Sequence, residues 1–226
     1  MKYIEFEDTM SKARMHRYLI ATGNNSRKAM TLYRKNLRLS QEMFTIISCF
    51  EVAIRNKIND QYTTQHGSDW LKHSVTANGI FTSKKCANTN KIISKSLKKL
   101  TIYTHSKLLA TLDFGFWRYL FAQPQYYVGG QTLLKIFLSK PKSTPTIQYN
   151  QSYIFNQLKL INDFRNRIAH HEPICFQPGS QKIDTTNALQ HYNLIIQLFQ
   201  WMNINESALL YGLDHVSSLC NEIDNL

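Results

Sequence analysis

Between Ser40 and Tyr62 the sequence SQEMFTIISCFEVAIRNKINDQY places Met43, Ile46, Ile47, Phe50, Ile54 and Ile58 at steps of three and four residues. That spacing aligns them as one apolar stripe on a helix of about five to six turns. A strand would need apolar residues at every second position, and no stretch of the chain alternates in that way. The same helical period recurs elsewhere. Thr9 can cap a helix over 10–22, with Gly23 past its end, and Ser26 can cap a short helix carrying Met30, Leu32 and Tyr33. A lysine-rich helix is expected over 83–100 and a buried segment over 108–122, with Gly115 allowing a close approach or a bend. A short apolar helix follows Gly129-Gly130. Further helices are expected over 150–171, stopped by Pro173, and near 185–203 and 205–223. Residues 63–82 read as a polar loop with a turn at Trp70-Leu71, 139–150 as a linker with two prolines, and 173–184 as a loop. The expectation is one all-α domain over 1–226, a helical bundle.

Apolar residues form 43% of the 226, which excludes a disordered chain. No apolar run reaches 18 residues, and the N-terminus MKYIEFEDTM lacks an apolar targeting core, so neither a membrane partner nor a signal peptide is expected. Cys49, Cys86, Cys175 and Cys220 are scattered with no C-x-x-C pair, which suits a reducing cytoplasm and argues against a thiolate zinc site. No cofactor is implied.

The net charge is +12, and it is unevenly spread. From Thr9 to Gln41 stand Lys12, Arg14, Arg17, Arg27, Lys28, Arg34, Lys35 and Arg38 with no acid. From Trp70 to Leu112 stand Lys72, Lys84, Lys85, Lys91, Lys95, Lys98, Lys99 and Lys107, again with no acid. After Lys182 there is no Lys or Arg. Two basic blocks fit a polyanion partner, with Lys84, Lys85, Lys91, Lys95, Lys98 and Lys99 as candidate RNA contacts. A merely solvated lysine surface is the alternative.

The chemically informative string is Asp163-Phe164-Arg165-Asn166-Arg167-Ile168-Ala169-His170-His171-Glu172-Pro173-Ile174. Asn166 and His170 are four apart and share a helix face. Arg165 is five from His170, roughly 140° around an ideal helix, though a long guanidinium can swing. Imidazole changes charge near neutral pH, so His170 can move a proton in RNA cleavage. Arg165 can stabilise charge on the phosphorane oxygens, and Asn166 can orient the phosphate or the histidine. The 2′-hydroxyl would attack without a metal, giving a 2′,3′-cyclic phosphate and a 5′-hydroxyl. One helix alone makes a thin site, so a homodimer with its two-fold axis near the motif is expected to build the cleft. Supporting candidates are Arg167, His171 and Glu172. Glu51, Arg55 and Asn56 are others, although Glu51 and Arg55 have the i, i+4 spacing of a simple ion pair. No metal site is expected, because adjacent helical histidines diverge by about 100°.

Arg165-Asn166-x-x-x-His170 resembles the R-x(4–6)-H motif of HEPN ribonucleases. The longer string from Arg165 to Ile174 is similar to the RN-x-x-x-HHEP signature of the Abi-like family that includes AbiD and AbiF. Phe50-Glu51-Val52-Ala53-Ile54-Arg55-Asn56 resembles that family's L-E-x-x-[LIM]-R-N helix. Leu112-Asp113-Phe114-Gly115-Phe116-Trp117 resembles its S-F-G-x-[WF] segment, with Asp113 where a small residue is usual. The resemblance spans roughly residues 15–200. It implies a HEPN-like helical bundle with additional helices, dimerisation through the motif helices, and RNA cleavage that aborts phage infection. It also implies an antitoxin, either a small non-coding RNA or a protein. A non-catalytic RNA-binding module is the alternative.

Overall fold

The computed structural model describes residues 1–226. It is all-α, with twelve α-helices and no sheet. A lone bridge joins Phe176 to Ile183. In order the helices are α1 (Tyr3–Met10), α2 (Lys12–Ala21), α3 (Ser26–His66), α4 (Trp70–His73), α5 (Ala87–Lys99), α6 (His105–Ala110), α7 (Phe114–Tyr119), α8 (Gln123–Val128), α9 (Gln151–Ala169), α10 (Thr186–Trp201), α11 (Glu206–Leu209) and α12 (Val216–Asp224). No helix is long and apolar enough to cross a membrane.

The largest departure from the sequence expectation is α3. The Ser26 and Ser40 segments are not two helices but one of 41 residues, about 60 Å long. Neither Gly nor Pro interrupts residues 26–66, and its buried stripe runs Ala29, Leu32, Tyr33, Asn36, Leu39, Met43, Ile46, Ile47, Phe50, Ile54, Ile58, Tyr62. Ser40 is accommodated inside, because one residue of modest helix propensity costs less than breaking such a stripe. The cap is Asn25, whose Oδ1 accepts from Lys28 N–H at 3.0 Å, rather than Ser26. The helix also runs on to His66, into the segment expected to be loop.

Other boundaries shift for local reasons. The 108–122 segment is two short helices, because the Asp113 carboxylate accepts from Phe116 N–H at 2.8 Å and starts α7 afresh. A Cβ on Gly115 would stand 3.3 Å from that same carboxylate. Pro124 sits in the first turn of α8, where its missing N–H costs nothing. Gly129, just past α8, is required by a close approach, since a Cβ there would fall 2.1 Å from Tyr62 Oη. The 205–223 stretch is split into α11 and α12, and the first helix is preceded by α1.

The chain divides into two compact units. The first comprises residues 1–48, 163–197 and 205–226. Its core includes an aromatic file in which Phe6 meets Tyr33, Tyr33 meets Tyr18, and Tyr18 meets Phe176, with centroids 5.2 to 5.5 Å apart. Thr185, fully buried, donates its hydroxyl to Asp224 at 2.6 Å and so ties the start of α10 to α12. The second comprises residues 49–162 and 198–204. Phe50, Phe114 and Phe199 pack edge to face there, and Trp70 meets Tyr62 at 4.8 Å. Residues 139–150 carry no helix, as the prolines imply.

Candidate functional site: a helix end and its recess

The end of α9 is held by the first unit's own core. Phe164 and Ile168 are buried one helical turn apart, and Phe164 stacks on His191 at 4.2 Å between ring centroids, 13° from parallel. With that side inward, Asn166 and His170 come out on the opposite face, and both are exposed. The face sharing expected for this pair is therefore present.

Past Ala169 the chain does not carry the helix on to Pro173. His170 N–H still bonds to Asn166 O at 2.9 Å, but His171 N–H turns back to Ile168 O and Glu172 N–H to Arg167 O, each at 2.9 Å. This is the crossed pair of bonds of a Schellman cap, with His171 in the left-handed position at φ +57°. Glycine is the usual residue there. The apolar contact that commonly closes such a cap is replaced by an ion pair, Arg167 Nε to Glu172 Oε2 at 3.1 Å. Arg167 also donates to Pro173 O at 3.3 Å. So Arg167 and Glu172 brace the turn.

Two further residues fasten this turn, and the motif reading missed both. Asn36 on α3 is buried, and its Oδ1 accepts from Ile174 N–H at 2.8 Å and from Cys175 N–H at 3.2 Å. Arg14 on α2 donates to His171 O at 2.8 Å. Arg14 belongs to the basic block visible in the sequence, but nothing local says which of those cations reaches His171.

A recess of about 400 Å³ opens beside the cap, lined by Ser11, Ala13, Arg14, Arg17, Tyr18, His170, His171, Glu172 and Pro173. Arg17 donates to Ser180 O, and its guanidinium carbon lies 4.4 Å from the Phe176 ring centroid. Arg165 and Asn166 do not line this recess. Arg165 instead sits half-buried with its guanidinium carbon 5.9 Å from the centroid of Phe44, an exposed ring on α3. Nearby thiol chemistry is suppressed, since burial pushes Cys175 up to about 12.

The remaining candidates lie in the second unit. Arg55 Nε donates to Asn56 Oδ1 at 3.3 Å. Glu51 is half-buried on the same helix. Lys84, Lys85, Lys91, Lys95, Lys98 and Lys99 are all exposed on α5 and the 3₁₀ turn before it, opposite buried Thr89 and Ile93. No group of three or more His, Cys, Asp or Glu side chains is gathered as a metal ion would need.

An all-helical chain whose RN-x-x-x-HHEP string forms a capped helix end above a cationic recess defines a class before it defines a protein. The model of the family of Abi-like proteins matches residues 2–175, a span that includes α1 through α9 and the whole cap. The chain belongs to that Abi-like family. No curated protein and no solved structure matches it significantly.

Proposed function

We propose that this Abi-like protein is a metal-independent endoribonuclease toxin of an abortive-infection or toxin–antitoxin system of phage defence, acting in the cytoplasm. Its R-x(4)-H residues would work at a homodimer cleft. The observation that carries the reading is His170, exposed at a rigidly capped helix end and opening onto a recess walled by two arginines. In this mechanism the His170 imidazole takes the proton of a ribose 2′-hydroxyl. The freed O2′ attacks the adjacent phosphorus, the P–O5′ bond breaks, and a second imidazole returns a proton to O5′. The products are a 2′,3′-cyclic phosphate and a 5′-hydroxyl. Arg165 compensates charge on the phosphorane oxygens, and Asn166 orients the phosphate.

The dimer has a geometric rationale. Within one chain Arg165 is not in the recess that His170 lines, so a second copy is the natural source of the facing guanidinium and the second imidazole. Phe44, exposed on α3 beside Arg165, and Leu37, exposed seven residues earlier on the same helix, provide apolar surface for such a contact. The test is labelled RNA incubated in EDTA with wild type, His170→Ala and Arg165→Ala. Cleavage by wild type to cyclic-phosphate ends, lost in both variants, is expected. Equal cleavage by all three would refute the assignment.

A second reading is favoured by α5, where Lys91, Lys95 and Lys98 at i, i+4 and i+7 make an uninterrupted cationic face. In that reading the protein is a non-catalytic module that binds RNA or answers to a small antitoxin RNA. Tight, salt-dependent binding without cleavage by any of the three proteins would favour it.

A further inference from the structure

Arg14 and Arg17 are three apart on α2 and leave it on the same side. Neither guanidinium is paired with a carboxylate; each is held by a backbone carbonyl, Arg14 by His171 O and Arg17 by Ser180 O. A carbonyl fixes a guanidinium in place without cancelling its charge, and several of its five N–H donors stay open. The one acid in the recess wall, Glu172, is engaged by Arg167. Ser11 Oγ accepts from Arg14 N–H at 3.3 Å and keeps its own proton to donate. The recess therefore gathers donors from α2 on one side and from the His170-His171 cap on the other. Guanidinium donors bind phosphate oxygens through charge-assisted bonds, and the imidazole of His170 stands in the same wall. At about 400 Å³ the space exceeds what a bare anion needs and lies in the range of about 300 to 1,000 Å³ usual for small-molecule sites.

We propose that this recess is a phosphate seat for RNA, in which Arg14 and Arg17 hold the phosphodiester next to the one cleaved at His170. The adjacency rests on the ribonuclease reading above; the affinity for a phosphodiester does not. Both arginines then act in substrate binding, outside the R-x(4)-H motif, and raise KM when removed, whereas His170 governs kcat.

The experiment uses the full chain and a single-stranded 2′-O-methyl RNA oligonucleotide, which lacks the nucleophile and cannot be cut. Affinity is measured against salt for wild type, Arg14→Gln, Arg17→Gln and His170→Ala. Glutamine keeps a donor for the carbonyl while losing the charge. Each Gln variant is expected to bind roughly tenfold more weakly, because a charge-assisted bond to phosphate is lost. Its log–log salt slope should fall by about 0.7, the value for one phosphate contact on a single strand. His170→Ala removes a recess donor but no guanidinium, so it should weaken binding less than either Gln variant and leave the salt slope closer to that of wild type. Unchanged affinity and slope in the Gln variants overturn the seat even where wild type cleaves RNA normally. Arginine-dependent binding by a wild type that cleaves nothing supports the seat and removes the ribonuclease reading instead. Competition by poly-glutamate as strong as by the oligonucleotide overturns it in favour of an acidic protein partner. Melting by circular dichroism identifies a variant that has not folded; should Arg17→Gln fail for loss of its place on Phe176, Arg14→Gln decides.

Discussion

Replacing His171 by glycine isolates what the helix cap asks of its backbone from what the site asks of its side chain. His171 holds φ +57°, where an L-residue carries a steric cost of about 1 to 2 kcal/mol. Glycine escapes that cost but loses about 0.4 to 1 kcal/mol through the greater freedom of its unfolded chain. The imidazole is exposed, and the bonds that matter here, His171 N–H to Ile168 O and Arg14 to His171 O, involve only the backbone of residue 171. His171→Gly should therefore stabilise the protein by about 0.5 to 1 kcal/mol. For a chain of this size that raises the melting temperature by about 1 to 4 °C. His171→Val should move it the other way, since a β-branched residue tolerates this conformation worst. Both are read by thermal melting and by urea denaturation at pH 7.5. A His171→Gly protein that melts lower than wild type, or a His171→Val protein that melts the same, would show that the left-handed cap is not the controlling strain. With stability raised, any loss of RNA cleavage in His171→Gly reports on the imidazole alone.

Two further outcomes follow from buried polar groups. Asn36→Ala removes the acceptor for two buried N–H groups, those of Ile174 and Cys175, and should cost about 2 to 4 kcal/mol at about 1 to 2 per unsatisfied donor; a urea midpoint within error of wild type would contradict the clamp. Stability should also fall as pH drops below about 6.5, because burial holds His191 and His105 below the usual imidazole value while the unfolded chain still takes up protons there. His191 donates from Nδ1 to Asn187 O at 2.7 Å, and His105 bonds through Nε2 to Asn59 Oδ1 at 2.7 Å with Nδ1 buried and unpartnered. Urea midpoints between pH 7.5 and 5.5 should show this slope, and His191→Phe, which keeps the stack on Phe164, should flatten it; a slope identical to wild type would exclude His191 as a source.

The amino-acid order determined whatever depends on near neighbours. Helical periodicity is such a property, because residues three and four apart meet on one face whatever the rest of the chain does. Hence the all-α class, the stripe from Met43 to Ile58, the coil at 139–150 and the pairing of Asn166 with His170 were legible directly. The lengths of elements were less so. Whether Ser40 starts a helix or lies within one depends on burial along the whole of α3, and a cap such as Asp113 competes with the helix pattern around it. Only the tertiary structure decided what stands around His170. Arg14 reaches His171 across 157 residues of sequence, and Asn36 reaches Ile174 across 138. Nor does the string HHEP disclose that its second histidine occupies a glycine-like conformation. Such partners are chosen by the packing of α2 and α3 in three dimensions. A residue's own type and spacing carry its chemistry, but its distant neighbours are set by the free energy of the whole fold.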